Sequence, residues 1–248
     1  EGDPRTILRI TQTKEDTFIL ETMVRPLPGG KKTFTPGKGS KSILDESLKQ
    51  RFQVERDLAK EKKNSRLFLD FCERNLDIDL GGDKGVESSV ELEPEDVLEV
   101  LDFASLNTDR VAVEWKEGKK LVLRGTINPK DITINLHSKE KWFDMEGNVT
   151  LPGGGVMELA KLLRALAAGE EKGGYVLLGE DEYVKLSDTL RKQLRKLEAM
   201  AVESRGKEKI SVFQVGQLAE LVRSQEDGMD IKLDKGIKTL MRRIEDSA

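Results

Sequence analysis

The chain has 248 residues, of which 35% are charged and 37% hydrophobic, and its 46 Asp and Glu against 42 Lys and Arg give a net charge of −4. This length and composition support one or two folded domains and require neither a disulfide scaffold nor full disorder, and the mild acidity argues against a uniformly basic nucleic-acid binder but leaves room for local basic faces. The single cysteine, Cys72, excludes an internal disulfide, and the single histidine, His137, excludes a two-histidine metal site.

The sequence also bears on the compartment. It contains no apolar run near the roughly 20 residues that span a bilayer, and residues 1–15 are too polar for a signal peptide. We therefore expect a cytoplasmic protein, free to associate with the nucleoid and without a membrane partner. The chain begins at Glu1 and ends after a charged helical pattern. We interpret it as a segment of a longer polypeptide, although tag removal would also explain the missing Met.

The first half of the chain predicts a hairpin, a loop and two helices. Alternating apolar residues over 5–24 predict two strands, and the Pro-, Gly- and Lys-rich stretch 26–41 predicts a loop. Apolar residues at helical spacing predict a helix over about 55–75. The Gly-containing stretch after it predicts a linker, and Pro94 marks the start of the next helix.

The second half predicts antiparallel strands followed by helices. A hairpin is predicted around Gly118, which separates two apolar runs. The other predicted elements, in chain order, are strands over 132–136 and 142–151, a Leu-rich helix over 159–166, a hairpin over 175–184, a helix capped by Ser187, a helix with a capping box at Ser211 and Gln214, and a last helix that holds Ile237, Leu240, Met241 and Ile244.

Together these elements predict an α+β fold, with antiparallel β-sheet segments and several packed amphipathic helices in two subdomains. The expected division is a hairpin-plus-helix subdomain over residues 1–80, a linker over 81–92 and an α+β subdomain over 93–248. In the second subdomain the adjacent Trp142 and Phe143 must point to opposite faces of one strand, so that one ring can enter the core.

Two glycine-rich stretches invite a phosphate-binding interpretation. Residues 36–40 resemble a nucleotide-binding loop, but Lys32 occupies the place of its first glycine and Gly39 follows Lys38. Residues 153–155 precede a helix and would suit an anion, but no Lys or Ser stands at the right spacing. A plain turn is the favoured interpretation of both.

The sequence predicts no catalytic, cofactor-binding or metal-binding residue in this chain. Acidic pairs such as Glu114 with Asp144, or Asp181 with Glu182, are expected by chance among 46 carboxylates. Cys72 lies on the apolar helix face and is interpreted as a core residue. His137 is interpreted as the end of a strand.

Two basic clusters are candidate nucleic-acid contacts. Arg191, Lys192, Arg195 and Lys196 recur on the side of a predicted helix opposite its leucines. The second cluster consists of Lys232, Lys235, Lys238, Arg242 and Arg243. Either could neutralise DNA phosphates. The alternative is a solvated helix face, which the neighbouring acidic residues favour.

The order of several short motifs resembles a known family. An Arg-Asp-Leu-x-x-Glu helix start occupies residues 56–61, and a Trp-Phe-x-x-x-Gly strand occupies 142–147. A Leu-rich helix and a Tyr-Val-x-Leu strand at 175–178 follow. Over residues 18–246 this order resembles the helicase-associated region of bacterial Swi/Snf-family ATP-dependent DNA translocases. One departure is the turn at 179–182, Gly-Glu-Asp-Glu, where the family often has Asp-Gly.

The resemblance implies a non-catalytic accessory region that positions or regulates a motor. That ATPase motor would follow residue 248, and ATP and Mg²⁺ would bind to it and not to this chain. The implied partners are the motor and double-stranded DNA, and the segment alone is not expected to hydrolyse ATP. The alternatives are a stand-alone protein-interaction adaptor without a motor, and a self-contained hydrolase.

Overall fold

The computed structural model describes residues 1–14, 16–47, 49–78, 89–204, 207–223 and 228–245. These described residues form six α-helices and fifteen strands in several mostly antiparallel sheets. The fold is therefore α+β, as the sequence predicts. The chain divides into two compact units, Glu1–Leu121 and Val122–Ala248.

The first unit is built on a four-stranded sheet. Its elements are β1 (Thr6–Gln12), β2 (Phe18–Val24), β3 (Ser42–Ser47), β4 (Gln50–Glu55), α1 (Leu58–Phe71), β5 (Val90–Leu92), α2 (Pro94–Leu106) and β6 (Val111–Glu117). The strand order in the sheet is β5-β2-β1-β6, while β3 and β4 pair only with each other. A π-helical turn, Cys72–Leu76, continues α1.

The core of the first unit joins the sheet to the two helices. Leu8 and Ile10 of β1 and Leu20 of β2 are almost fully buried. The rings of Phe71 in α1 and Phe103 in α2 stack with their centroids 4.4 Å apart, which fixes the two helices against each other. The predicted hairpin over 5–24 is confirmed by the antiparallel pairing of β1 with β2.

The helix predicted over 55–75 starts later than expected. Glu55 is the last residue of β4, and α1 begins only after Asp57, whose side chain accepts a hydrogen bond from the Lys60 amide at 2.9 Å. The β3–β4 hairpin was not predicted, because its sequence is polar and its turn contains no glycine.

The boundary between the units differs from the predicted one. β5 pairs with β2, and β6 pairs with β1, so both strands and the helix between them belong to the first unit. The division falls between Leu121 and Val122 instead of at the predicted linker 81–92. Residues 81–88 of that linker lie outside the described residues.

The second unit contains a large mixed sheet and a small one. Its elements are β7 (Val122–Ile127), β8 (Ile132–Ser138), β9 (Trp142–Thr150), β10 (Val156–Glu158), α3 (Leu159–Ala167), β11 (Tyr175–Gly179), β12 (Glu182–Leu186), α4 (Asp188–Met200), β13 (Ala201–Ser204), β14 (Lys207–Ser211), α5 (Val215–Arg223), β15 (Asp230–Leu233) and α6 (Lys235–Glu245). The large sheet has the order β13-β14-β9-β8-β15 with β10 paired to β9, and the small sheet has the order β11-β12-β7.

The hairpin predicted around Gly118 is wrong. β6 pairs in parallel with β1, and β7 pairs in parallel with β12, so the two runs lie in different sheets. Gly118 has a positive φ of 86°, and a Cβ atom at this position would lie 2.5 Å from the Cβ of Gln12. The glycine therefore permits a close approach to the end of β1.

The predicted helix starts of the second unit are confirmed. The hydroxyl of Ser187 accepts a hydrogen bond from the Leu190 amide at 3.4 Å and caps α4. Ser211 and Gln214 form the predicted capping box, which starts a 3₁₀ turn, Val212–Gln214, that leads into α5. The helices bury their leucines in one core with β8, β9 and β12.

A glycine in the centre of β9 determines how α3 packs on the large sheet. A Cβ atom at Gly147 would lie 2.8 Å from both the Thr133 carbonyl oxygen and Cδ2 of Leu159.

We expect Gly147→Ala to lower the free energy of unfolding of this unit by about 1–3 kcal/mol through overpacking. The measurement is urea unfolding followed by Trp142 fluorescence in a Trp115→Phe background. The matched control is Gly216→Ala in α5, where an added Cβ meets no atom within 4 Å, and an equal loss in that variant would contradict the packing argument.

Candidate nucleic-acid interface

The predicted basic cluster lies on α4. This helix buries four apolar side chains in the core of the second unit: Leu190, Leu194, Leu197 and Met200. Lys192, Arg195 and Lys196 are exposed and Arg191 is half-buried, so the structure brings the four predicted residues to one accessible side of the helix.

Two of the four cations are held by an internal carboxylate. Glu171 lies in the connection between α3 and β11, and its side chain is 5% exposed. Its carboxylate accepts hydrogen bonds from Arg195 at 2.6 Å, from Arg191 at 3.3 Å and from the Gly174 amide at 2.7 Å. Burial alone would raise the pKa of Glu171, but these donors outweigh it and lower the pKa below its usual value.

Glu171 therefore changes the expected role of α4. The two arginines support the turn before β11, while Lys192 and Lys196 are the residues left with exposed ammonium groups for phosphate. No sequence pattern pointed to Glu171, since it is one of 46 carboxylates and stands in a turn.

The lowered pKa of Glu171 gives a prediction about pH. A carboxylate whose folded pKa lies below its unfolded value stabilises the fold above the unfolded value of about 4.5, and that contribution is lost as the pH falls through the folded pKa. We expect Glu171→Gln to be less stable than the wild type at pH 7, with the difference shrinking below about pH 4.5. Urea unfolding at pH 7, 5 and 3.5 measures this difference, and a difference that is constant with pH would contradict it.

The second basic cluster lies on β15 and α6. Lys232 is within 3.3 Å of Asp230, and Lys235, Lys238, Arg242 and Arg243 are exposed on α6. Asp234 caps this helix by accepting from the Ile237 amide at 2.9 Å, and it also accepts from the Ser138 hydroxyl at 2.8 Å. These contacts attach the basic helix to β8.

The glycine-rich residues 36–40 form a loop that is held by hydrogen bonds to Arg56 and Glu61, and not a nucleotide-binding loop. The Gly37 amide donates to Oε2 of Glu61 at 3.0 Å. Arg56 is 1% exposed and pairs with Glu61 through two hydrogen bonds of 3.0 and 2.7 Å. Its third nitrogen donates to the carbonyl oxygens of Lys38 and Ser40. Of the backbone amides that a phosphate would need, that of Gly37 is thus bound to Glu61, and that of Lys38 donates to the Thr35 carbonyl oxygen at 3.2 Å.

The other glycine-rich stretch is a tight turn between β9 and β10. Gly153, Gly154 and Gly155 all have positive φ, and the Gly154 amide donates to the Leu151 carbonyl oxygen at 3.0 Å. Glycine is required by this backbone path, which supports the plain-turn interpretation.

Two of the acidic residues that could be posed as catalytic pairs, Glu114 and Glu182, have structural partners. Glu114 contacts Arg25 at 2.6 Å and Arg9 at 2.9 Å, and these hydrogen bonds lower the pKa of Glu114. Glu182 pairs with Arg124 at 2.9 Å. Asp181 occupies the β11–β12 turn with φ of 56°.

The single cysteine and the single histidine occupy the predicted positions. Burial raises the pKa of the Cys72 thiol to about 12, so the group is a protonated core residue at neutral pH. His137 is exposed near the end of β8, opposite Asp144.

Three large apolar side chains are exposed at one end of the large sheet. Phe143 is buried and Trp142 is 40% exposed, as the alternation predicts. Val202 is 51% exposed on the same sheet face, and Phe213, two residues after the β-pairing partner of Trp142, is 98% exposed. We call Trp142, Val202 and Phe213 the apolar edge; a group of exposed large apolar side chains is typical of a contact site.

Within the described ranges, no three His, Cys, Asp or Glu side chains are placed to hold a metal ion. In the same part of the chain, no helix is both long and apolar enough to cross a membrane. Comparison with known proteins found no matching family model, no matching curated protein and no matching solved structure.

Proposed function

We propose that this chain is a non-catalytic accessory region of a Swi/Snf-family ATP-dependent DNA translocase, and that it positions or regulates the motor. ATP and Mg²⁺ would bind to the motor, which would follow in the same polypeptide. The proposal is carried by the motifs of the resemblance, whose residues occupy central positions in the two units.

The supporting positions are specific. Arg56 and Glu61, of the Arg-Asp-Leu-x-x-Glu motif, form the buried ion pair of the first unit. Phe143 and Gly147, of the Trp-Phe-x-x-x-Gly motif, lie under α3 and the core of the second unit. Val176, of the Tyr-Val-x-Leu strand, packs in the same core. The residues of these motifs thus have structural positions in the two units, which suits an accessory role better than a catalytic one.

The apolar edge is the surface that we assign to the motor. Trp142 and Phe213 are aromatic, and exposed aromatic residues dominate many protein interfaces. The same observation supports the second candidate function, a protein-interaction adaptor that binds an unrelated partner. The reading frame after residue 248 distinguishes the two, because a nucleotide-binding loop soon after it is required by the translocase.

The decisive experiment compares the full-length protein with a version lacking residues 1–248. We expect altered DNA-stimulated ATPase activity or altered coupling of ATP hydrolysis to translocation. In the full-length protein, Phe213→Ala should reproduce part of this change, whereas Leu106→Ala, at another exposed apolar residue, should not. Equal rates and equal coupling in the deletion would contradict the regulatory role.

Contact of α4 with duplex DNA is a separate proposal. Charge reversal at Arg191, Lys192, Arg195 and Lys196 should weaken duplex binding and flatten its salt dependence. Because Glu171 already binds both arginines, the double variant Lys192→Glu/Lys196→Glu should account for most of the effect. Fluorescence anisotropy with a labelled duplex measures the affinity and its salt dependence for both variants. Unchanged binding in the four-residue variant would contradict the proposed contact of α4 with DNA.

A further inference from the structure

The first unit contains a strongly basic segment within an acidic chain. Between residues 31 and 66 the sequence has eleven Lys and Arg but five Asp and Glu, whereas the whole chain has a net charge of −4. Two of the five carboxylates, Asp45 and Glu61, are buried. Ten of the basic side chains are exposed: Lys31, Lys32, Lys38, Lys41, Lys49, Arg51, Lys60, Lys62, Lys63 and Arg66.

Arg56 holds the backbone of two of these lysines, and the loop that carries them packs beside a third on α1. Arg56 binds the carbonyl oxygen of Lys38 through its guanidinium group, and its amide donates to the carbonyl oxygen of Lys41 at 2.7 Å. Gly37 packs directly on α1, since a Cβ there would lie 2.9 Å from Cβ of Lys62. We call Lys38, Lys41 and Lys62 the loop–helix patch.

The buried pair of Arg56 and Glu61 is better explained by the loop geometry that it fixes than by a gain in stability. A buried ion pair contributes little net stability compared with apolar residues of similar size, because both charges lose their hydration. Arg56 also covers Phe34, at 4.3 Å from the ring centroid, and thereby fixes both ends of the loop. What the pair provides is a defined loop geometry, and the exposed side chains of that geometry are lysines.

We infer that the loop–helix patch binds the phosphate backbone of double-stranded nucleic acid. Exposed ammonium groups replace the counterions of a duplex, whose release drives binding. Single-stranded binders add aromatic side chains on which bases stack. Among the described residues 31–47 and 49–66, the exposed aromatic side chain is Phe52 alone, so phosphate contact to a duplex fits the surface better.

The test measures binding of a labelled 20-base-pair DNA duplex to the whole chain at several salt concentrations. For the triple variant Lys38→Gln/Lys41→Gln/Lys62→Gln we expect a fall in affinity on the order of 100-fold at 0.1 M salt and a reduction of about 2.7 in the slope of log K against log salt. The matched control is Lys14→Gln/Lys116→Gln/Lys120→Gln, which removes the same charge from exposed positions of the same unit and should change the slope little.

A loss confined to the triple variant would support duplex binding by the loop–helix patch. Equal losses in the triple variant and its control would show general attraction and overturn it, as would a wild type that does not bind the duplex at low salt. Tighter binding to single-stranded DNA, to poly-glutamate or to anionic vesicles than to the duplex would also overturn it. Trp115 fluorescence verifies that each variant is folded. The inference does not rest on the proposed function, because binding by the isolated chain requires no motor.

Discussion

Replacing Arg56 with methionine is expected to lower the free energy of unfolding of the first unit by about 3–5 kcal/mol. The substitution leaves the carboxylate of Glu61 buried, with the Gly37 amide as its remaining described donor. The chain has two tryptophans, and Trp115 lies in the first unit while Trp142 lies in the second. Urea unfolding of a Trp142→Phe background therefore reports the first unit alone.

Two further variants make this prediction specific. Arg66→Met breaks the exposed pair between Arg66 and Asp70 on the same helix, and it should cost less than about 1 kcal/mol. The double variant Arg56→Met/Glu61→Met should regain a large part of the loss, because no charge remains buried. A loss below about 1 kcal/mol in Arg56→Met would show that water reaches the Glu61 carboxylate and would contradict the described burial.

Replacing Phe143 with alanine is expected to lower the free energy of unfolding of the second unit by about 3–5 kcal/mol. The ring is 1% exposed and belongs to the core formed by β8, β9 and the helices. Its removal deletes apolar contacts and leaves a cavity that the paired strands cannot close. Trp142 reports this unit in a Trp115→Phe background.

Phe213→Ala is the matched control, since it makes the same chemical change at a ring that is 98% exposed. It should alter stability by less than about 0.5 kcal/mol. If both variants lost similar free energy, Phe213 would have to be buried in solution, and its place in the apolar edge would be wrong. A small effect of Phe143→Ala alone would contradict the packing of β9.

The elements that the sequence predicted well are those with local signals. The period-two pattern of β8, the leucines of α3 and the cap at Ser187 each act within a few residues. The hairpin around Gly118 was wrong because the true partners of β6 and β7 lie far away in the chain. A glycine between two apolar runs gives the same local sequence pattern whether it forms a hairpin turn or leaves space for the side chain of Gln12.

The candidate sites show the same limit. Spacing alone placed Arg191, Lys192, Arg195 and Lys196 on one side of a helix, and the structure has them there. The spacing could not reveal that Glu171, twenty residues from Arg191, binds two of these four residues. The basic excess over residues 31–66 was countable from the sequence, but the buried partners of Arg56 depend on the path of the loop.

The parallel pairing of β1 with β6 has a consequence for synthesis of the chain. Arg9 and Glu114 face each other across these strands and are 105 residues apart in sequence. At roughly 5–20 residues per second, a ribosome needs about 5–20 s to make that stretch. Until then the outer edge of the nascent hairpin has no partner and can pair with other chains. Arg9 places a charge in the middle of that edge, and charged side chains on an edge strand disfavour such pairing.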